Sequence, residues 1–507
     1  MEKRIRRLGI FMLLCFIALF VQLNNIQVLK ANSLATSASN PRVIEASLDQ
    51  PRGEIISADN VTLAQSVVAT SGSRKYQRVY PPDTATLFSQ IVGYDSPIYG
   101  EDGVEAEYDN YLSAHSSPPK TLQELLTNRT TYDNVTLTIS TGMQLAMNAA
   151  LDHIKGNPDV SAAVAIDPRN GDILGMYSNP SFDPNPLVST SGTVETSAWT
   201  TYNNTTPNPL LNRAYRASYE PGSTFKTITS AAAYDFQPAL TTHVYPVVGC
   251  ISLEPQSNVP LCNYGRNTPE GPEQCGGDLQ QTLPESCDTA FAQMGMSLGA
   301  QALTTEAQAF GFNQRIPIDL PYVPLSNFPT VAQLANNEPS QAYSAFGQQN
   351  VSATALQMAL VAAGFANDGV IETPHVMAQI VDDQGNLVKA YTPTPWLKAT
   401  SPATAASVTK LMQAVVTSGT AKDTFPAGDD VAAKTGTAET GAIVNGASSE
   451  TNDWMIAFAP ATDPTVAVAV VVPNQPADAT GDTVSGPPTC AIIQAALDKP
   501  LSECPGQ

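Results

Sequence analysis

The chain has 507 residues, 42% hydrophobic and 14% charged: enough apolar material for two or three cores, with a low charge content for a cytosolic protein. Asp and Glu number 46 against 25 Lys and Arg, a net charge of −21 that repels phosphate backbones and makes nucleic acid a poor partner. The 4 His are scattered, and there is no H-E-x-x-H, paired Cys-x-x-Cys, Walker loop or G-x-G-x-x-G, so neither zinc nor a nucleotide cofactor is indicated.

At the N-terminus Lys3, Arg4, Arg6 and Arg7 precede an apolar run from Leu8 to Leu23 that thins out toward Leu29. Basic residues before an apolar helix hold that end in the cytoplasm and send the remainder across the membrane. A span needs about 20 predominantly apolar residues, reached here only by tolerating Gln22, Asn24, Asn25 and Gln27. Small residues near Ala31 and Ala35 suit a cleaved signal peptide equally well. Both readings export the rest of the chain. Cys250, Cys262, Cys275, Cys287, Cys490 and Cys504 then enter an oxidising space, with Cys15 left in the apolar segment. Proximity favours Cys490–Cys504 and a pair within Cys250–Cys275, with Cys287 either bonded or a free buried thiol.

Beyond the apolar segment, residues 30–150 carry short β-like stretches such as Gly53–Ile56 and turn-prone runs such as Asp95–Gly103. Thr138–His153 reads as a helix with Thr141 as its cap. Ala162–Ile166 and Ile173–Tyr177 flank a Pro/Asn-Gly turn and make a hairpin. Residues 237–285, rich in Pro, Gly and Cys, read as a long surface insertion. Trp454–Ala459 and Val466–Val472 form a second hairpin, and Cys490–Leu497 a short closing helix.

Three motifs carry chemistry. In Pro221-Gly222-Ser223-Thr224-Phe225-Lys226, Pro-Gly breaks the chain and the Ala-rich run after it favours helix, so Ser223 lies at a helix N-terminus. The spacing puts Lys226 on the same face, its amine over the hydroxyl. A neutral amine there can take the proton of an otherwise weak nucleophile. Alone, such a pair is more often a cap and a solvated charge. Ser286-Cys287-Asp288 is uninformative by itself, since such a tripeptide is usually a turn or cap. Lys434-Thr435-Gly436-Thr437 follows the strand-like Val431–Ala433. There a cation can hold a carboxylate, a glycine admits substrate backbone, and the next N–H can face an oxyanion.

Taken in order, Ser-x-x-Lys, Ser-x-Asn/Asp and Lys-Thr-Gly resemble the penicillin-recognising serine transferases and β-lactamases. Asn212-Arg213-Ala214 with Glu220–Lys226 is similar to the acylation helix of class B penicillin-binding proteins. Phe346–Gln349, Thr354–Ala359, Ala366–Gly369, Val415-Val416, Gly419–Ala421 and Asp453–Pro460 match stretches of the same family. Pro51–Ile55, Arg78–Pro81 and Gly103–Glu105 resemble the pedestal of its actinobacterial A branch. The resemblance implies an α+β fold: a serine transpeptidase domain over residues 151–507, with a central antiparallel sheet flanked by helices. A smaller, mainly β pedestal over 31–150 and a transmembrane anchor over 1–30 complete it.

The same resemblance assigns roles. Ser223 would attack the penultimate D-alanine carbonyl of a donor stem peptide, or a β-lactam; Lys226 would accept its proton and Ser286 relay a proton to the leaving amine. Lys434, Thr435 and Thr437 would hold the terminal carboxylate, with Gly436 leaving room for substrate. The N–H groups of Ser223 and Thr437 would form the oxyanion hole. No metal or cofactor is implied. The expected partners are peptidoglycan stem peptides, β-lactams, the membrane, and a glycan polymerase with other division or elongation proteins. Asp288 departs from the family's usual Asn. As a carboxylate it would favour the ammonium of Lys226, whereas protonated or turned away it would be silent. A β-lactamase-like hydrolase, a D,D-carboxypeptidase, a weakly catalytic scaffold and a β-lactam sensor are the competing readings.

Overall fold

The computed structural model describes residues 2–29, 49–70, 75–116, 130–154, 159–266, 270–441 and 443–505, apart from 445, 446 and 449. Ala31 and Ala35 lie outside the described residues. The helix Glu2–Asn24 continues into a π-helical turn, Asn25–Leu29, at the polar cluster. The most apolar window of Arg4–Gln27 has a mean hydropathy of 2.0, and the helix is long and apolar enough to cross a membrane. None of its most apolar window is buried against the rest of the protein.

The N-terminal part is built on a sheet with strand order Leu387–Ala390, Met377–Asp382, Asp133–Leu137, Ile55–Ile56, Thr62–Val68, Tyr76–Val79. Two of its strands therefore come from far downstream, and the division expected near residue 150 is crossed. It is crossed in the other direction as well. Helix Thr141–Asp152 packs on Ile173–Asn179 and Gly486–Ala496 of the larger part. Its cap is Ser140 rather than Thr141: the Ser140 hydroxyl accepts from the Met143 N–H, while the Thr141 hydroxyl donates to Asp59. Between the N-terminal strands run three helices, Pro82–Val92, Gly103–Glu107 and Asp109–Leu112.

Those helices bury an ionic cluster. Glu105, fully buried, accepts from Arg78 Nε at 2.7 Å and from Arg52 Nε at 2.7 Å, with the Tyr80 hydroxyl donating at 3.1 Å. Arg52 also reaches Asp109 at 2.6 Å and lies 3.4 Å from Glu101. A forked guanidinium can serve several carboxylates at once, which suits it to such a site. The cluster borders the larger part, where Arg216 clamps Asp102 through two contacts of 2.7 and 2.5 Å. Asn212 donates to the Gln90 carbonyl at 2.7 Å. The stretch leading into Ser223 is thus moored on the pedestal.

The larger part centres on an antiparallel five-stranded sheet: Ile173–Asn179, Ser161–Ile166, Val466–Pro476, Glu450–Ala459 and Ala432–Glu439. Both expected hairpins are present. The inner strands are buried along nearly their whole length, so β-branched and small residues need not alternate with polar ones. Helix Ala355–Ala366 and helix Gly486–Ala496 pack on them. Each buried Val of Val466–Val472 contributes about 1.5–3 kcal/mol of apolar burial. Ala432–Glu439 is left at the sheet's edge.

Three disulfides close loops: Cys250–Cys262, Cys275–Cys287 and Cys490–Cys504. The free-thiol alternative for Cys287 is overturned. Strand Cys275–Gly277 passes beside the turn at Ser286 with a Cα–Cα distance of 5.8 Å, well suited to a bridge. Cys250 and Cys262 face each other across a hairpin. Residues 237–285 are a surface insertion with many exposed positions, and one side of it walls the cleft described next.

Candidate active site

Ser223 sits in a single 3₁₀ turn, Gly222–Phe225, that feeds directly into helix Lys226–Phe236. Helix positions 226–233 are all buried, which holds the turn rigidly. Two glycines let the first and third motifs touch backbone to backbone. A Cβ on Gly222, whose φ is +52°, would come within 2.9 Å of Ala438 Cβ. One on Gly436 would come within 2.9 Å of the Pro221 carbonyl oxygen. Any larger residue at either position pushes the Ser223 turn off the edge strand. The buried Trp454 fixes the same turn from behind, its indole N–H donating to the Glu220 carbonyl at 2.8 Å.

The second motif lies between the two lysines. Ser286 has φ +60°, an uncommon conformation for a residue with a side chain. Lys226 Nζ donates to the Ser286 carbonyl at 2.6 Å and to its hydroxyl at 3.1 Å. Lys434 Nζ donates to the same hydroxyl at 2.9 Å and to the Thr435 carbonyl at 2.9 Å. One hydroxyl therefore links two lysines that are both fully buried.

Asp288 is not turned away. Its Oδ1 accepts from Lys226 Nζ at 2.6 Å. The amine expected over Ser223 is drawn instead toward Asp288 and Ser286, and among the described residues it makes no hydrogen bond to the Ser223 hydroxyl. A carboxylate is the stronger acceptor, so the amine follows it. Burial lowers the pKa of Lys226, and the opposing pull of Asp288 does not cancel that effect. Lys434 is held well below its ordinary value by burial and then by the charge of Lys226.

Thr435 and Thr437 both line the cleft, a space of about 620 Å³ that also takes in Ser223, Ser286 and Asp288. The Thr435 hydroxyl pairs with the Thr420 hydroxyl at 2.7 Å, and the Thr437 hydroxyl accepts from the Gly481 N–H at 3.0 Å. All eight site positions read from the sequence thus converge on one region. Several wall residues were not foreseen. Tyr264, Arg266 and Glu273 come from the disulfide-bonded insertion, and Asp478 and Asp482 from the loop after Val466–Pro476. Asn263 stitches the insertion to the second motif, its side-chain oxygen accepting from the Thr289 N–H at 2.9 Å. The one available signal was Cys287, a cysteine inside the motif with possible partners upstream.

Residues 161–494 match the model of the penicillin binding protein transpeptidase domain. The chain belongs to the penicillin-binding protein family. Residues 52–134 match a second model, the penicillin binding protein A dimerisation domain. The peptidoglycan D,D-transpeptidase PbpA of Mycolicibacterium smegmatis is 34% identical over 502 residues, covering 98% of this chain and 99% of that protein. Its namesake from Mycobacterium tuberculosis is 33% identical over 505 residues, covering 98% and 99%. Among solved structures, a penicillin G acyl-enzyme complex of penicillin-binding protein A from M. tuberculosis superimposes with a TM-score of 0.78 at 33% identity. It covers 88% of this chain and 100% of that one. In this penicillin-binding protein the family's three motifs surround one cleft on the exposed edge of the central sheet.

Proposed function

We propose that the protein is a peptidoglycan D,D-transpeptidase that cross-links stem peptides through a serine acyl-enzyme and is acylated by β-lactams. The observation that carries this reading is the Ser286 hydroxyl held between two buried lysines whose pKa values are lowered, beside a serine on a rigid turn. Ser223 Oγ attacks the carbonyl carbon of the penultimate D-alanine and forms an ester as the peptide bond breaks. Lys226, as free amine, takes the hydroxyl proton. Ser286 passes a proton to the departing amine of the terminal D-alanine and is reprotonated by the Lys226 ammonium 3.1 Å away, so the proton taken from Ser223 leaves with the D-alanine. The Ser223 and Thr437 N–H groups stabilise the tetrahedral oxyanion. Lys434, Thr435 and Thr437 receive the terminal carboxylate, and Gly436 admits the peptide backbone along the edge strand. An amine from a second stem peptide then displaces Ser223. Each step uses only side chains and backbone groups of this chain.

Arg4–Gln27 serves as a retained anchor with the catalytic domain outside the cytoplasm. Membrane confinement raises the effective concentration of a glycan polymerase without requiring a large interface. N-terminal sequencing of protein extracted from membranes tests the anchor; a mature chain starting near Thr36 in the soluble fraction overturns it. Labelling with a fluorescent penicillin tests the chemistry. The adduct should persist for many minutes and map to Ser223. Rapid turnover would favour a hydrolase, and an undiminished adduct on Ser223→Ala protein would remove Ser223 from its role.

A further inference from the structure

The walls of the cleft carry charge that the reaction does not use. Glu273, Glu439, Asp478 and Asp482 all line it together with Ser223, and among the described residues none of the four forms an ion pair or a side-chain hydrogen bond. Strand alternation puts Glu439 on the same face as Thr435 and Thr437, two residues beyond the last motif position. Glu273 is brought in by the disulfide-bonded insertion and lies within electrostatic reach of Asp288. Asp478 and Asp482 flank Gly481, whose N–H binds Thr437. Among the described residues Arg266 is the one guanidinium lining this space, and the two lysines of the floor are already engaged with Ser286, Asp288 and Thr435.

These groups act on one another. Burial and then the charge of Asp288 raise the carboxyls of both Glu273 and Glu439, the second against the pull of Arg266. The Tyr264 phenol is raised first by burial and then by Asp453, Asp478, Glu273 and Asp482. A negative field therefore reaches across the cleft rather than staying at one wall.

We infer that these four carboxylates make the cleft selective for substrates bearing an ammonium group near the scissile bond, and against those bearing an additional carboxylate there. The inference rests on the transpeptidase reading and deepens it. The carboxylate next to the scissile bond goes to Lys434, Thr435 and Thr437. A second one, farther along the ligand, meets Glu273, Glu439, Asp478 and Asp482 with Arg266 as the one facing cation among the described residues, four negative groups against one positive. A pocket of like charge rejects a wrong ligand more strongly than it rewards the right one.

Three penicillins isolate this effect, because they share a nucleus and a phenylacetyl side chain and differ only at its α-carbon. Benzylpenicillin carries hydrogen there, ampicillin an ammonium and carbenicillin a carboxylate. Second-order acylation rates of the full chain in neutral detergent, followed by intact mass, would be divided by each lactam's alkaline hydrolysis rate. At 50 mM NaCl the corrected ampicillin-to-carbenicillin ratio should be on the order of tenfold, and it should shrink toward unity at 500 mM as salt screens the wall. The variant Glu273→Gln/Glu439→Gln/Asp478→Asn/Asp482→Asn should show a ratio near unity at both salts. The ratio is the readout, so a uniform loss of rate cancels. The wild-type salt series decides the matter even if that variant does not fold. A corrected ratio near unity at low salt, with all three adducts on Ser223, overturns the selectivity and leaves the transpeptidase reading intact. Absence of any adduct from all three overturns both.

Discussion

Two buried ionic clusters, one in the pedestal and one in the cleft, put the same ingredients to opposite uses. Around Glu105, two arginines meet a surplus of carboxylates, and burial is more than offset: the carboxyl of Glu105 is lowered by Arg78 and Arg52 even though desolvation alone would raise it. Around Ser286, two lysines share one carboxylate, and the balance tips the other way, so both amines are pushed toward the neutral form. Arginine stays charged wherever it is placed, whereas lysine yields its proton when desolvated. A cluster of arginines therefore makes a fixed joint, and a cluster of lysines short of counter-charge makes a base.

That contrast can be broken at either end. Lys226→Met should reduce the rate of β-lactam acylation by about a thousandfold or more, within the range for a lost general base, and lower the melting temperature less than Glu105→Gln, since the carboxylate it leaves unpaired, Asp288, is only partly buried. Stopped-flow labelling and calorimetry on the same sample would show it. A large fall in melting temperature without loss of acylation would reverse the assignment of the two clusters. Glu105→Gln should do the opposite, costing about 3–5 kcal/mol of stability in denaturant melts by leaving Arg78 and Arg52 short of charge. The fraction that remains folded should acylate at close to the wild-type rate.

A smaller effect should follow from Asp288→Asn. The Asp288 carboxylate favours the ammonium of Lys226, so its removal lowers that pKa further and raises the fraction of free amine at any given pH. Acylation on the acid side should quicken on the order of tenfold, equivalent to about 1.4 kcal/mol, as the acid limb of the profile moves to lower pH. An unchanged pH–rate profile would show that Asp288 does not hold Lys226 in its charged form. The smallest effect belongs to Glu101, whose carboxyl burial pushes up to about 8 against the pull of Arg52. A carboxyl raised in this way binds a proton on folding. Its contribution is fully present below the ordinary glutamate range and is lost as pH rises through about 8. Melting temperature should accordingly decline between about pH 5 and 8, and Glu101→Gln should flatten that decline.

Short-range features were readable from residue order. The turn at Ser223, the edge strand carrying Lys434, the two hairpins and the closing helix follow from Pro-Gly breaks, an Ala-rich run and apolar stretches flanking turns, all local signals. The cap of the helix at 141–152 was misplaced by one residue, because Ser140 and Thr141 are equally good caps and Asp59, far upstream, claims the second. The insertion at 237–285 was readable as a surface segment because its composition is that of a loop, but nothing local reveals that Cys287 tethers it to the second motif and so to the cleft.

What residue order carried by itself was the identity and local setting of Ser223, Lys226 and Lys434, since a helix start and a strand are settled within a dozen residues. Their relationship was decided only by the tertiary structure. Ser286 lies 60 residues from Lys226 and 148 from Lys434, and its hydroxyl joins them only once the sheet and the long helix have packed. Asp288 could equally have faced solvent, and four wall carboxylates from three separate segments could have been scattered over the surface. Mutual repulsion opposes gathering them. It is the packing of the sheet, the disulfide and the glycine-to-backbone contacts that holds them around the cleft, and such long-range contacts leave no periodic trace in the chain.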